Sequence, residues 1–425
     1  MYKSEFMEEI NLDFQKYDDI FDKDNYPEFE EIVTSRGIMY IPKDDKKCIC
    51  LSGKKYKDCC KNDIEDTKKN RRDKDVKEEL EQLYFQKDSK LISSKVEKKS
   101  VEKKNISYCS AWKIFGGCDT GNNNIRSHTL SRGNVLQNLS GDSSDSVTRF
   151  NDHKVADVEN IRDNISQYFT NVFIEDASVT VSFCKTHDVE LFVDIETDGN
   201  TEYKKTDIQN LEYALKAVSF DIYYKIMNIS YMAKLINENM NVAFNDDGTY
   251  SSYFNNYYYD QKALFDIYPL MLKILSEIKE LKEKNSKPKL KSVCLELPVN
   301  KVNFSCSEVI YEWQTYCFVN VINSKKPYII ISYYEKDSLN KLNELKSEFE
   351  SLNFNKELQI NCLSEFVIML LMNAQNIYFN NEAFEKLSDE EKLYLYVVHR
   401  EGTEGIPYQI QKNNNRKLMD VLFPI

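Results

Sequence analysis

The chain has 425 residues, of which 41% are hydrophobic and 30% charged, with a formal net charge of −12. That length supports two or three domains and a sizeable core, and the composition is that of a globular protein. The negative balance excludes a bulk positive field drawing the chain to nucleic acid or anionic lipid, so any such contact must be local. The opening segment MYKSEFMEEINLDF lacks a basic n-region and an apolar h-region, and the run FVIMLLM at 366–372 falls far short of the roughly 20 residues that cross a bilayer. A cytoplasmic chain without a membrane span is expected.

Residues 1–47 read as a leader. In KKCICLSGKKYKDCCKN (46–62), Cys48, Cys50, Cys59 and Cys60 fall within thirteen positions. In a reducing compartment close-set cysteines read as metal ligands before disulfides, and the odd total of eleven agrees. Zinc takes four soft donors in a tetrahedron, and two close pairs joined by a short turn at Ser52 and Gly53 can supply them. Lys54, Lys55 and Lys57 offset the charge of the thiolates. The stretch CICLSGKKYKDCC resembles the SEC-C motif, the zinc-binding module first known from the tail of the bacterial preprotein translocase motor SecA. Ile49 and Leu51 stand where that motif usually has Pro and Gly, and every ligand position is filled. The resemblance covers residues 48–60 and implies a small zinc module (48–62) that docks a protein partner. It does not imply an export motor, since the chain contains no GxxxxGK[ST] phosphate loop.

Residues 63–105 are dense in charge of both signs and poor in apolar residues, as in an exposed helix or flexible tether. Acidic residues interrupt KKNRRDK, and no aromatic platform lies beside it, which argues against RNA binding there.

A second Cys/His unit is expected over 106–200. Cys109 and Cys118 stand in YCSAWKIFGGCD, His128 in NNNIRSHTLSRGN, and Cys184, His187 and Asp188 in VSFCKTHDVELFVDIE. Cys109, Cys118 and the C-x2-H pair Cys184 and His187 make a Cys3His zinc set whose halves are about 65 residues apart. The alternative packs Cys109 or Cys118 as a small apolar residue. The order resembles HNH endonucleases, with their treble-clef zinc unit. In that template His128 matches the first His, Asn134 the Asn, and Cys184 with His187 the closing knuckle. Asp188 replaces the final metal-binding His, Ser127-His128 replaces the usual His-His, and about 50 residues intervene where the template has far fewer. The SHT and FCxxHD segments also resemble a group of bacterial proteins, some carrying a SEC-C module, over roughly residues 106–235. Nuclease chemistry would use His128 as general base, Asp188 as a Mg2+ ligand and Glu196 as the next oxygen donor. The competing reading makes His128 a zinc ligand or a structural hydrogen-bonding residue.

Residues 201–425 read as an α+β domain. Ile208, Leu211, Leu215, Val218, Ile222, Ile226 and Ile229 form one helical stripe, and Ile267, Leu270, Met271, Ile274, Leu275, Ile278 and Leu281 a second. The run YSSYFNNYYYD (250–260) reads as a loop packed on the core. Four β-rich runs, 292–299, 302–313, 316–322 and 328–335, predict an antiparallel sheet, followed by helices at 338–351, 363–374 and 382–398. Cys294, Cys306, Cys317 and Cys362 read as core residues, His153 as a loop residue, and His399 as a surface or capping residue.

The expected whole is a multidomain α+β protein with two zinc ions, and Mg2+ only for a nuclease. Three functions follow. The first is zinc-stabilised recognition of nucleic acid or nucleoprotein, with phage defence as the setting its resemblances imply. The second is an HNH-like endonuclease, and the third a protein-docking adaptor.

Overall fold

A computed structural model describes residues 29–34, 37–46, 55–58, 109–116, 118, 124–140, 145–151, 162–196, 202–238, 252–312, 315–323, 325–334, 340–403 and 406–425. The fold is mixed helix and sheet, as the α+β reading expects. In chain order the elements begin with β1 (Phe29–Thr34), β2 (Gly37–Pro42), α1 (Trp112–Phe115), β3 (Ser127–His128), α2 (Gln137–Ser140), β4 (Ser146–Phe150), β5 (Phe169–Phe173) and β6 (Val179–Thr180). Then come α3 (Lys185–Leu191), α4 (Val193–Glu196), α5 (Asp207–Glu238), α6 (Ser252–Lys284), β7 (Leu290–Glu296), β8 (Phe304–Glu312), β9 (Thr315–Asn323) and β10 (Pro327–Tyr334). The chain closes with α7 (Asn340–Ser351), α8 (Lys356–Asn361), α9 (Ser364–Asn373), β11 (Ile377–Phe379), α10 (Asn381–Glu385), α11 (Asp389–Glu401) and α12 (Tyr408–Leu422). No helix among the described residues is long and apolar enough to cross a membrane.

The chain divides into two compact units, one of Met1–Ile125, Val181–Lys185 and Ile222–Leu270, the other of Arg126–Thr180, Thr186–Asp221 and Met271–Ile425. Within the first, β1 and β2 form an antiparallel hairpin inside the expected leader. Lys225 on α5 reaches Asp260 on α6 at 3.9 Å. From Ser252 onward, the tyrosine run expected as a loop is the first part of helix α6. It contains neither Gly nor Pro to break a helix, and it continues directly into the apolar stripe.

The second unit is built on a seven-stranded sheet in the order β5-β4-β11-β8-β9-β10-β7. Its cross-strand register explains the burial. Leu295 pairs with Ile329 and Val293 with Ile331. Ile329 in turn opposes Val321, and Ile331 opposes Val319, so one face is a continuous apolar surface. That face packs against Leu342, Phe366, Leu370, Leu395 and Met419 from α7, α9, α11 and α12. The opposite face meets α5, where Asn320 Nδ2 donates to the Tyr213 carbonyl at 3.2 Å. With both faces covered, β10 is buried along nearly its whole length.

Strands β7 to β10 coincide with the four expected runs. Strands β4, β5 and β11 join the same sheet, which therefore crosses the boundary expected near residue 200. The helix expected over 382–398 is two helices. Ser388 caps α11 and Glu391 bonds back to the Ser388 N–H, a reciprocal capping box that starts a new helix there.

Candidate metal centre

The ligand atoms of Cys109, Cys118, Cys184 and His187 all lie within 4.8 Å of one another, with Cys118 half-buried and the other three buried. Local hydrogen bonding brings the two halves together. Ser110 N–H donates to Ser182 O at 2.9 Å, Ile125 N–H donates to Phe183 O at 2.9 Å, and Asn124 forms an antiparallel bridge with Cys184. The Asn124 side chain adds a bond to Val181 O at 3.2 Å. Cys184 immediately precedes α3 and His187 lies in its first turn, so the C-x2-H spacing puts both ligands on one side of that turn.

The donor set fits zinc. A tetrahedral ion with Zn–S near 2.3 Å sets neighbouring sulfurs about 3.8 Å apart. Three sulfurs and one imidazole within 4.8 Å need only a small contraction to reach that geometry. Burial pushes the Cys109 thiol well above its ordinary range, and the Cys184 and Cys118 sulfurs add to the rise, while the N–H groups of Cys184 and Ala111 favour its thiolate. A divalent cation removes that cost of ionisation.

The residues expected for hydrolysis are arranged differently. Among the described residues no second group of three His, Cys, Asp or Glu ligand atoms comes together, so His128, Asp188 and Glu196 do not share a cluster. His128, on β3, is half-buried, and its Nδ1–H donates to Ala177 O at 2.8 Å. Burial lowers its pKa, with Lys216, Arg132 and Arg126 contributing, so the ring is neutral at neutral pH. Asp188 is buried in the first turn of α3, where a carboxylate complements the helix dipole, and its Oδ1 accepts no hydrogen bond. Glu196 forms an ion pair with Lys216 at 2.8 Å.

Lys216 was not foreseen. It is 2% exposed, yet its Nζ donates to the His128 carbonyl at 2.7 Å and lies 3.8 Å from the centre of the Phe192 ring. It ties β3, α4 and the segment before α4 to α5. Replacing it with Met should strip Glu196 and the His128 carbonyl of their partner and cost about 2 kcal/mol in urea unfolding. An unchanged midpoint would show that the ion pair holds nothing in place.

A second buried ionisable group lies one helical turn away. Glu212 is completely buried, its Oε1 3.4 Å from Lys282 Nζ. Lys282 also donates to Glu190 O at 2.8 Å and lies 4.0 Å from Asp194. Burial, reinforced by Asp194, raises the Glu212 pKa to about 9 against the pull of Lys282.

Cys48, Cys50, Cys59 and Cys60 lie outside the described residues, as do the linker 63–105 and His153. The segments leading into the two cysteine pairs are joined, however. Tyr56 N–H donates to Lys46 O at 2.9 Å and Lys57 N–H to Asp44 O at 3.2 Å, with Tyr56 buried. His399 is half-buried: it stacks on Phe150 at 3.7 Å, and its Nδ1–H donates to Leu371 O in the last turn of α9, a capping contact. Cys306 and Cys317 are buried, and Cys294 and Cys362 half-buried.

Comparison with protein-family models, with curated proteins and with solved structures gave no match.

Proposed function

We propose that the chain is a zinc-stabilised recognition protein for a nucleic acid or nucleoprotein, with Cys109, Cys118, Cys184 and His187 holding a structural zinc. The closure of the donor set carries this reading. Four protein donors within 4.8 Å of one another would fill a tetrahedron around one ion and leave no position for water or substrate, the arrangement of a structural rather than a hydrolytic site. The order of a cysteine-bearing segment, the short antiparallel pair β3 and β6, and a helix with two ligands at its start is similar to a treble clef. A second zinc is proposed at Cys48, Cys50, Cys59 and Cys60, supported by the hydrogen bonds that join the segments leading into them. That module would dock a protein partner. The phage-defence setting rests on the resemblances alone.

Nucleic-acid recognition is supported by a local cation in an otherwise acidic chain: Arg132 stands near His128 and is exposed, while the neighbouring Arg126 is paired with Asp176 at 2.5 Å. Fluorescence anisotropy with DNA and RNA oligonucleotides at several salt concentrations tests it. Binding should weaken with salt, and Arg132→Ala should flatten the logarithmic salt slope by about one. Absence of binding to every oligonucleotide at low salt would leave the docking adaptor. Elemental analysis should give two zinc ions per chain, and one after Cys59→Ser. A wild-type count of one that falls to zero in that variant would remove the Cys3His zinc.

The nuclease reading keeps one observation. His128 is neutral, is held through Nδ1, and has no hydrogen-bond partner at Nε2 among the described residues, as a general base requires. Against it, Lys216 occupies the Glu196 carboxylate. Under the nuclease reading, His128→Ala would keep zinc and melting temperature while abolishing a Mg2+-dependent cleavage.

A further inference from the structure

We propose that Cys118 is the sulfur at which hydrogen peroxide enters the centre, forming a disulfide with Cys109 or Cys184 and releasing the metal. The inference rests on the zinc reading above. Cys118 is the one half-buried member of the set, whereas Cys109 and Cys184 are 4% and 2% exposed. A small oxidant therefore reaches the centre at Cys118. A zinc-bound sulfur is a thiolate, the nucleophilic form. The other half-buried thiols among the described residues differ: burial raises the pKa of Cys294, and raises that of Cys362 to about 11, so both stay protonated at neutral pH.

The step balances as follows. The Cys118 sulfur attacks one peroxide oxygen, the O–O bond breaks, hydroxide leaves, and the sulfur becomes a sulfenic acid. A neighbouring thiolate then attacks that sulfur, the S–S bond forms, and a second hydroxide departs. Two thiolates have supplied two electrons, and peroxide has become two hydroxide ions. The resolving sulfur starts within 4.8 Å and must close to about 2.0 Å. Gly116, two residues before Cys118, gives the backbone room to turn. Its φ is +64°, and nothing lies within 4 Å of where a Cβ would stand. The disulfide leaves one cysteine and His187, too few donors to retain zinc.

The test treats the full-length, zinc-loaded chain with hydrogen peroxide at neutral pH, then maps it by differential alkylation and trypsin. Lys113 separates Cys109 from Cys118, so a cross-link joins distinct peptides. Cys118 should be consumed about tenfold or more faster than Cys294 and Cys362, with a cross-link to Cys109 or Cys184. One zinc should be released per cross-link, and dithiothreitol with added zinc should restore the centre. Cys118 persisting at doses that consume Cys294 and Cys362, or ending as sulfinic acid without a cross-link, would overturn the proposal. Elemental analysis beforehand separates the two failures. Zinc present at an unreactive Cys118 refutes this inference, and zinc absent from the site refutes the reading beneath it.

Discussion

A Cys184→Ser chain should purify with one zinc ion fewer than the wild type. It should also lose amide protection across 109–116, 124–128 and 177–191 while the seven-stranded sheet still unfolds cooperatively. The elements at the candidate metal centre are too short to stand alone. Helix α1 has four residues, and β3 and β6 have two each, well below the length at which isolated helices or hairpins are stable in water. Structural zinc contributes on the order of 10 kcal/mol or more in small domains, and that free energy is folding free energy. Losing one of four ligands should therefore melt the local structure. The sheet has its own support, since the core of Val319, Val321, Ile329, Ile331 and their helical partners needs no metal. Hydrogen exchange read by mass spectrometry distinguishes the two regions. Full protection of 109–116 and 124–128 in a zinc-depleted variant would mean that packing alone holds the centre. Serine at Cys306, buried in that core, provides the contrast, because it should weaken the sheet and leave the zinc count unchanged.

What could be read from the sequence follows from the range of each interaction. Cys184 and His187 declare themselves because C-x2-H is a local spacing, while Cys109 and Cys118 needed the assumption that distant halves meet. Strands β7 to β10 were legible as long β-branched and aromatic runs. Strand β11 was not, because it has three residues and is a strand only by lying between β4 and β8. The buried charges were the hardest. Glu212 and Lys216 sit in LEYALKAVSF, four residues apart on a helix, where such a pair ordinarily reads as a solvated stabilising contact. Instead each is buried and finds a different partner, Lys282 for Glu212 and Glu196 for Lys216. The one local signal was that two charges interrupt an otherwise apolar stretch inside a core-facing helix.

Glu212→Gln should make the protein more stable, by an amount that grows with pH. In the folded chain burial raises the Glu212 pKa to about 9 from an ordinary 4.5. Between those values the folded state holds a proton that the unfolded state has released, so stability falls as pH rises through the window. Below pH 4.5 the carboxyl is neutral in both states and the penalty is absent; above pH 9 it is complete. At roughly 1.4 kcal/mol per unit of displacement, the cost at pH 7 is about 3 kcal/mol, and near pH 9 about twice that. Glutamine keeps the shape, can donate toward Asp194 and accept from Lys282, and has no proton to lose. Urea unfolding of both proteins from pH 5 to pH 9 should show curves that nearly meet at the acid end and separate steadily toward the alkaline end. Parallel curves, or a variant less stable than the wild type at pH 8, would mean that Glu212 is ionised in the folded state and that its ion pair with Lys282 outweighs its burial.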